Sequence, residues 1–234
     1  MKQTMHFGFF AKWWLIALAV NGMGAACSPA APESPIESRG ERIELPDASA
    51  QGQVSVEETM ARRRSRRNYR DQPLSDRQLA QLLWAGQGVT DSRRGFRTAP
   101  SAGATYPLQL YVATAQGVFL YHPGEHELSQ LGDRDRRPEI AAASLGQRWM
   151  AEAGAIVIMV ARPERTTRRY GERGRRYIDM EAGHVAQNLH LQAVALGLGS
   201  VPVGAFDPSA ISLLLGGEQA GAPVYIVCIG HLAE

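Results

Sequence analysis

The sequence predicts one compact domain of mixed α and β structure, α+β or α/β, behind an N-terminal leader and a tether. Three observations carry this. Helical periodicity runs from Leu79 through Leu83 and again from Tyr177 to Leu196. Strand patterns occupy Leu108–Ala115, Gly117–His122, Ala155–Ala161 and Val224–Gly230. Between them, Leu189–Phe206 begins as helix, breaks at Gly197, Gly199 and Gly204, and ends as an extended Pro-containing segment. A chain of 234 residues with 44% apolar content is long enough to bury a sizeable core.

The leader comes first. Lys2 and Lys12 flank a loosely apolar start, and Trp13–Val20 is too short to span a bilayer, which needs about 20 residues. A positive start, a short apolar core and the small residues Gly24, Ala25 and Ala26 before Cys27 describe a secretory signal over 1–26. The arrangement resembles a bacterial lipoprotein signal, with Cys27 as the lipidated residue and Gly24 where a large aliphatic is usual. It implies an exported, membrane-anchored protein at the periplasm or cell surface. Cleavage after Ala26 without lipidation is the alternative. Residues 27–53 are rich in Pro, Ser, Ala and Glu and are expected to be a disordered tether. The domain is expected over 54–234.

Charge and cysteine content exclude several chemistries. Net charge is +2, too small to argue for nucleic acid. The only lysines are Lys2 and Lys12, so the domain holds no Schiff-base or P-loop lysine. Cys27 and Cys228 are the only cysteines, too far apart in sequence for a CxxC site and too few for a four-cysteine zinc site. Cys228 lies in an apolar strand and reads as a small buried hydrophobe.

Within the domain, Val54–Arg66 reads as a first helix with Val56 and Met60 facing inward. Arg62–Tyr69 follows; if extended, Arg63, Ser65 and Arg67 point one way, two charged forks and a hydroxyl suited to a phosphate. Ser75 caps a second helix, with Gln78 completing a capping box and Leu74 as staple. Leu79, Leu82 and Leu83 form its buried stripe, and Gly86 and Gly88 end it. Arg93–Thr98 reads as a polar loop. Ala99–Pro107 is built of small residues, so its backbone can approach a ligand closely, or it is simply a tight packed turn.

Leu108–Ala115 and Gly117–His122 form a hairpin. His122, Glu125, His126 and Glu127 fall in a turn and are not read as a metal site. A helix opens at Pro138 and runs to about Ala153, with Asp135 among its caps. Ala155–Ala161 is wholly apolar, hence a strand buried on both faces. Thr166–Arg176 is basic, punctuated by glycine, and expected to be an exposed, mobile loop. In the long helix after it, Ala182, Gly183 and Ala186 make a small-residue face for a helix or subunit. His184 and His190 lie about 240° apart around that helix and share no metal. Asp207-Pro208 caps a short helix closed by Gly216-Gly217.

Taken together, RRRSRRNY, APSAGATYP and GHVAQNLHLQAVALGLGSVPVGAF resemble the nitroreductase superfamily of FMN flavoproteins. The nearest type is the SagB-like dehydrogenase of thiazole/oxazole-forming peptide maturases. The resemblance covers about Met60–His231. It implies an α+β fold with a mixed central sheet flanked by helices, in an intertwined homodimer with FMN at the interface. Arg63, Ser65 and Arg67 match the positions that hold the phosphate and ribityl chain. Pro100, Ser101, Ala102 and Gly103 match the loop beside the ring bound by the partner subunit. Val203 and Gly204 match the segment whose backbone N–H faces the flavin N5. His231 stands where the family places Arg or Lys on the phosphate, a role open to a protonated imidazole. The maturases also use a Lys-Tyr pair in azoline oxidation, and the domain has no lysine.

The implied activity is an FMN-dependent oxidoreductase passing hydride from a donor such as NAD(P)H to a small-molecule or peptide acceptor. Arg97, Tyr106 and Tyr170 are candidates for substrate contact; no catalytic acid or base is assigned. The alternative is an exported lipoprotein that keeps the fold as a ligand- or partner-binding module without redox chemistry.

Overall fold

The computed structural model describes residues 40–233. The expected signal segment, Cys27 and the tether as far as residue 39 lie outside the described residues. No described helix is long and apolar enough to cross a membrane.

The architecture is α+β: a seven-stranded sheet with helices on both faces. Its strands are β1 (Arg42–Glu44), β4 (Leu108–Thr114), β5 (Gly117–His122), β6 (Glu127–Gly132), β7 (Ala155–Ala161), β8 (Gly199–Val203) and β9 (Ala222–Gly230). They lie in the order β1-β6-β5-β4-β7-β9-β8, and every ladder is antiparallel. Among the described residues, parallel pairing enters only through an isolated bridge between Ser65 and Ser200 at the β8 edge. A small hairpin of β2 (Val89–Asp91) and β3 (Phe96–Arg97) stands apart.

The strand period of two divides the core. Ala155, Val157, Met159 and Ala161 of β7 face one way, and Ile156, Ile158 and Val160 the other. On the first face lie α2 (Asp76–Gln87) and α5 (Arg173–Ala195), through Leu82, Leu83, Val185 and Leu189. On the second lie α3 (Arg137–Ala143) and α6 (Pro208–Leu214), through Ile140 and Ile211. At about 25 cal/mol per Å2, such burial is the main favourable contribution to the fold. Cys228 is fully buried on the second face, as its strand pattern implied.

Several local signals act as expected. Ser75 Oγ accepts the Gln78 N–H at 3.3 Å while Gln78 Oε1 accepts the Ser75 N–H at 2.9 Å, a complete capping box. Asp207 accepts from the Ser209 and Ala210 N–H groups. Asp135 is not the N-cap, which is Arg136 without a side-chain cap bond; it accepts the Arg137 N–H at 2.9 Å and pairs with the buried Arg137 guanidinium at 2.8 Å.

Other elements correct the sequence reading. The tether expected over 27–53 contains β1, which pairs with β6, so the fold begins before Val54. Neither β1 nor β6 was expected: Arg42–Glu44 is short and fully exposed, and β6 has only Leu128 buried, so both lack a core pattern. The first helix, α1, covers only Val56–Arg62; its inward residue is Thr59, while Val56 and Met60 are more than half exposed. Gly86 lies inside α2, where an added Cβ would sit 3.2 Å from Leu110 and 3.4 Å from Leu189. It serves close packing, not termination.

Arg93–Thr98 is partly the β2–β3 hairpin, not wholly a loop. The helix from Pro138 ends at Ala143, where Leu145 and Gly146 turn left-handed, and a 3-10 turn covers Arg148–Glu152. Thr166–Arg176 is not a loop: α4 (Glu164–Tyr170) ends at Gly171 (φ 58°), and α5 begins at Arg173. Gly174 permits this, since an added Cβ would sit 3.0 Å from the Thr167 Cα. Of the small-residue face on α5, Ala182 and Ala186 are buried in the core, and only Gly183 faces outward.

Candidate functional site

Two groups of residues lie at different heights along α5. The first is at the β8 edge. Arg63–Tyr69 is extended, and its backbone joins the sheet: Arg66 N–H donates to Ser200 O at 3.0 Å, and Arg70 N–H to His231 O at 2.9 Å. Tyr69 is buried beneath it, its hydroxyl donating to the carbonyls of Arg66 (2.7 Å) and Cys228 (3.1 Å). Burial pushes that phenol far above its ordinary range.

The side chains of this segment do not all meet. Ser65 and Arg67 line a cavity of about 530 Å3 with Arg66, Asn68, Trp149 and Glu152, and the Arg67 guanidinium lies 5.7 Å from the Trp149 ring centroid. Arg63 is absent from that lining. It lies near α5, where its charge acts on His190. His190 is 3% exposed, shares a 2.7 Å hydrogen bond with Ser200 Oγ, and leaves Nε2 without a partner. Burial first, and Arg63 second, hold its imidazole down to about 4, so it is neutral. No carboxylate pairs with Arg63 or Arg67 among the described residues. His231 is half-buried, held through its backbone to Arg70.

Val203 is buried against the second face, and Gly204 follows it at the exposed sheet edge. An added Cβ at Gly204 would meet only Tyr225, at 3.8 Å. No backbone bond uses the Gly204 N–H among the described residues. The fold itself therefore does not demand glycine there.

The second group surrounds Pro100–Tyr106. Ala102–Ala104 is a 3-10 turn in which Gly103 has φ 60° and Ala104 φ 52°, and Tyr106 just beyond it has φ 44°. Two non-glycine residues in left-handed backbone cost about 1–3 kcal/mol each, and persist only where surroundings fix them. Those surroundings are specific. Ser101 Oγ accepts the Tyr106 N–H at 2.9 Å, and Thr105 Oγ1 lies 2.8 Å from Thr166 Oγ1. Arg165 and Arg169 of α4 donate to the Tyr106 and Gly103 carbonyls at 3.1 and 3.3 Å. His184 Nδ1 is 3.4 Å from the Pro100 carbonyl. Gly103 is needed by its own chain: a Cβ there would stand 2.6 Å from the Tyr170 hydroxyl.

Beneath the loop lies Glu181, 2% exposed, its Oε1 accepting from Gln87 Nε2 at 3.4 Å. Burial pushes its carboxyl up, while the Ser101 and Gln87 side chains and the charges of Arg97 and His184 oppose that. Arg97 donates to Gln87 Oε1 at 2.9 Å and lies 4.6 Å from the Tyr106 ring centroid. Tyr170 packs edge-on to Tyr177, centroids 5.1 Å apart. Arg97, Tyr106 and Tyr170, the candidate substrate contacts, thus all gather here. Glu181 and Gln87 were missed. The available signal was a carboxylate on the apolar stripe Ile178, Ala182, Val185 and Leu189.

Among the described residues the two groups share no hydrogen bond or ion pair. Glu181 and His190 are nine residues apart on α5, a rise of about 14 Å.

The nitroreductase family matches residues 60–231. A Methanocaldococcus jannaschii protein assigned as a nitroreductase is 46% identical over 198 residues, covering 82% of this chain and 97% of that one. A crystal structure from Ralstonia eutropha, also assigned as a nitroreductase, has TM-score 0.76 at 28% identity, covering 86% of this chain and 94% of that one. The NADPH:FMN oxidoreductase of Vibrio harveyi, complexed with NAD+, has the same fold at 20% identity (TM-score 0.58, 76% of this chain, 69% of that one).

Proposed function

The chain belongs to the nitroreductase family, and from that premise we propose that it is an FMN-dependent oxidoreductase. It passes hydride from a reduced donor to a small-molecule or peptide acceptor. The observation that carries this reading is Gly204: exposed, with an N–H free among the described residues, and with no neighbour that a side chain would strike. A flat ring lying on the backbone explains a glycine that the fold does not need.

The residues at the β8 edge suit the rest of FMN. Ser65 and Arg67 would hold a phosphate through a hydroxyl and a guanidinium with no carboxylate partner among the described residues, with Arg63 adding positive charge and His231 an imidazole. Val203 and Gly204 would present the backbone donor to the ring edge that gains electron density on reduction. Bound FMN supplies the hydride chemistry, and the protein supplies orientation and electrostatics. NAD(P)H as donor is supported by the Vibrio harveyi relative, which carries NAD+.

Pro100, Ser101, Ala102 and Gly103 would reach the ring from a second copy of the chain. The separation of the two groups along α5 supports a homodimer, since no hydrogen bond or ion pair joins them among the described residues. So does the outward stripe of α5, where Met180, Gly183 and Gln187 are exposed beside half-buried Leu191. With no lysine after Lys12, the chain lacks the Lys-Tyr pair of SagB-type azoline oxidation, which favours a general flavin oxidoreductase.

The test is the visible spectrum of the purified chain with added FMN. Bound flavin, reducible by NADPH or NADH, is expected. Protein that takes up no FMN at micromolar concentration sinks the proposal.

A further inference from the structure

We infer that Trp149 is a positioning residue for Arg67: its indole holds the guanidinium by an aromatic face and leaves the N–H fork for an anion. The inference rests on the reading above where that anion is the phosphate of FMN. The geometry itself stands on contacts within one chain.

Three features assign the role. First, Arg67 is held by a ring and not by an acid. Its Cζ lies 5.7 Å from the Trp149 ring centroid, within reach of cation–π attraction, which tryptophan gives most strongly. Glu152 lines the same cavity, yet no carboxylate pairs with Arg67 among the described residues. A carboxylate would neutralise the guanidinium and occupy the fork that a phosphate needs, whereas an aromatic face leaves the charge in place.

Second, both partners are fixed from behind. Trp149 is half-buried against the second core face, on the 3-10 turn Arg148–Glu152. Met150 beside it is fully buried, and the Arg137 guanidinium donates to the Ala153 carbonyl just past the turn at 2.8 Å. Arg67 stands between Arg66, whose N–H donates to Ser200 O, and Asn68, whose carbonyl accepts the Ala233 N–H at 3.1 Å. Third, Tyr69 joins the two sides. It lies two residues beyond Arg67 in the extended segment, its hydroxyl holds the Arg66 carbonyl at 2.7 Å, and its ring centroid is 6.3 Å from that of Trp149. An arginine on an open surface loses rotamer freedom when it meets an anion, and one already held on a fixed ring loses less.

The substitutions that test this are Trp149→Leu, Trp149→Phe and Arg67→Ala, with FMN and riboflavin as probes. Riboflavin carries the same ring system without the phosphate, so a residue that only supports the fold changes both ligands together. Trp149→Leu is expected to raise the FMN dissociation constant about fivefold and to leave that of riboflavin unchanged. Trp149→Phe keeps an aromatic face and is expected to recover most of the loss. Arg67→Ala/Trp149→Leu is expected to match Arg67→Ala alone, since the ring acts only through the guanidinium. Equal loss for both ligands in Trp149→Leu, or additive losses in the double variant, overturns the inference.

A measurement on the unaltered chain decides where Trp149→Leu does not fold or where no FMN is taken up. The Arg67 side-chain NMR signals are followed as inorganic phosphate is added. They are expected to be displaced to high field by the indole ring current, and to respond to phosphate without losing that displacement. Signals that show no ring-current displacement, lose it when phosphate binds, or ignore phosphate altogether overturn the inference. Wild-type protein that binds no FMN counts against the proposed function alone, because the phosphate titration still decides the role of Trp149.

Discussion

At the β8 edge, Arg63 and Arg67 stand on a segment tied to its neighbours through backbone bonds, with no carboxylate partner among the described residues. At the loop end, Ser101, Tyr106, Arg97 and Gln87 are bonded to one another around a buried carboxylate, on backbone held in left-handed conformations. The first region leaves its two arginines without carboxylate partners among the described residues, as a site for an anion requires. The second commits them internally, as a rigid presenting surface requires. Substitutions at the β8 edge should therefore change binding and spare stability, whereas those at the loop should change both.

The largest effect expected is at Gly204. Gly204→Val should weaken FMN binding by roughly a hundredfold or more, equivalent to about 3 kcal/mol, and leave the melting temperature nearly unchanged. The added Cβ has only Tyr225 near it, at 3.8 Å. Fluorescence titration beside thermal unfolding checks both halves, and tight binding by the variant would remove Gly204 from the site.

Arg67→Ala sharpens the same side. Loss of a charge-assisted phosphate bond costs about 1.5–3 kcal/mol, roughly tenfold or more in FMN affinity. Riboflavin, which lacks the phosphate, should bind the variant and the wild type alike. Equal loss for both ligands would place Arg67 elsewhere than at the phosphate.

Gly103→Ala probes the other side. Its φ of 60° and the crowding by Tyr170 and Arg169 predict destabilisation of about 1–3 kcal/mol. Calorimetry should show a lower melting temperature even without flavin. An unchanged melt would mean that the loop is not the rigid element described above.

The smallest expected effect is a pH dependence from His190. Its folded pKa of about 4 lies below the ordinary 6.5. The unfolded chain therefore takes up the proton first as pH falls. Stability present above pH 6.5 is lost progressively toward pH 4, about 1 kcal/mol of it between pH 7 and 5.5. His190→Gln should flatten that part of a melting curve against pH, and an unaltered slope would assign the dependence to other groups.

Much of the β8 edge was legible in the sequence. A broken helix is a local pattern, and it placed β8 and Gly204 in an extended segment; Arg63–Arg66 falls within the predicted first helix, which ends at Arg62. The loop end was less legible. Thr166–Arg176 looked like a loop because of its glycines, yet Gly171 caps one helix and Gly174 lets the next pack against it. Glycine marks both chain breaks and close approaches, and only the neighbour distinguishes them. Similarly, β1 is exposed and β6 buries only Leu128, so neither carries a burial pattern; they are strands because an edge was free to pair.

The sequence alone determined the elements whose instructions are local: the capping box at Ser75, the Asp207 cap, the wholly apolar β7 and the small residues of Ala99–Pro107. Tertiary structure decided which residues work together. It split the arginine segment, turning Arg67 toward Trp149 and leaving Arg63 out of the cavity that Ser65 and Arg67 line. It set Glu181 under Ser101, 80 positions away in the chain. Periodicity reports which face of an element is buried, but the partner that satisfies a buried charge is fixed only when the elements pack.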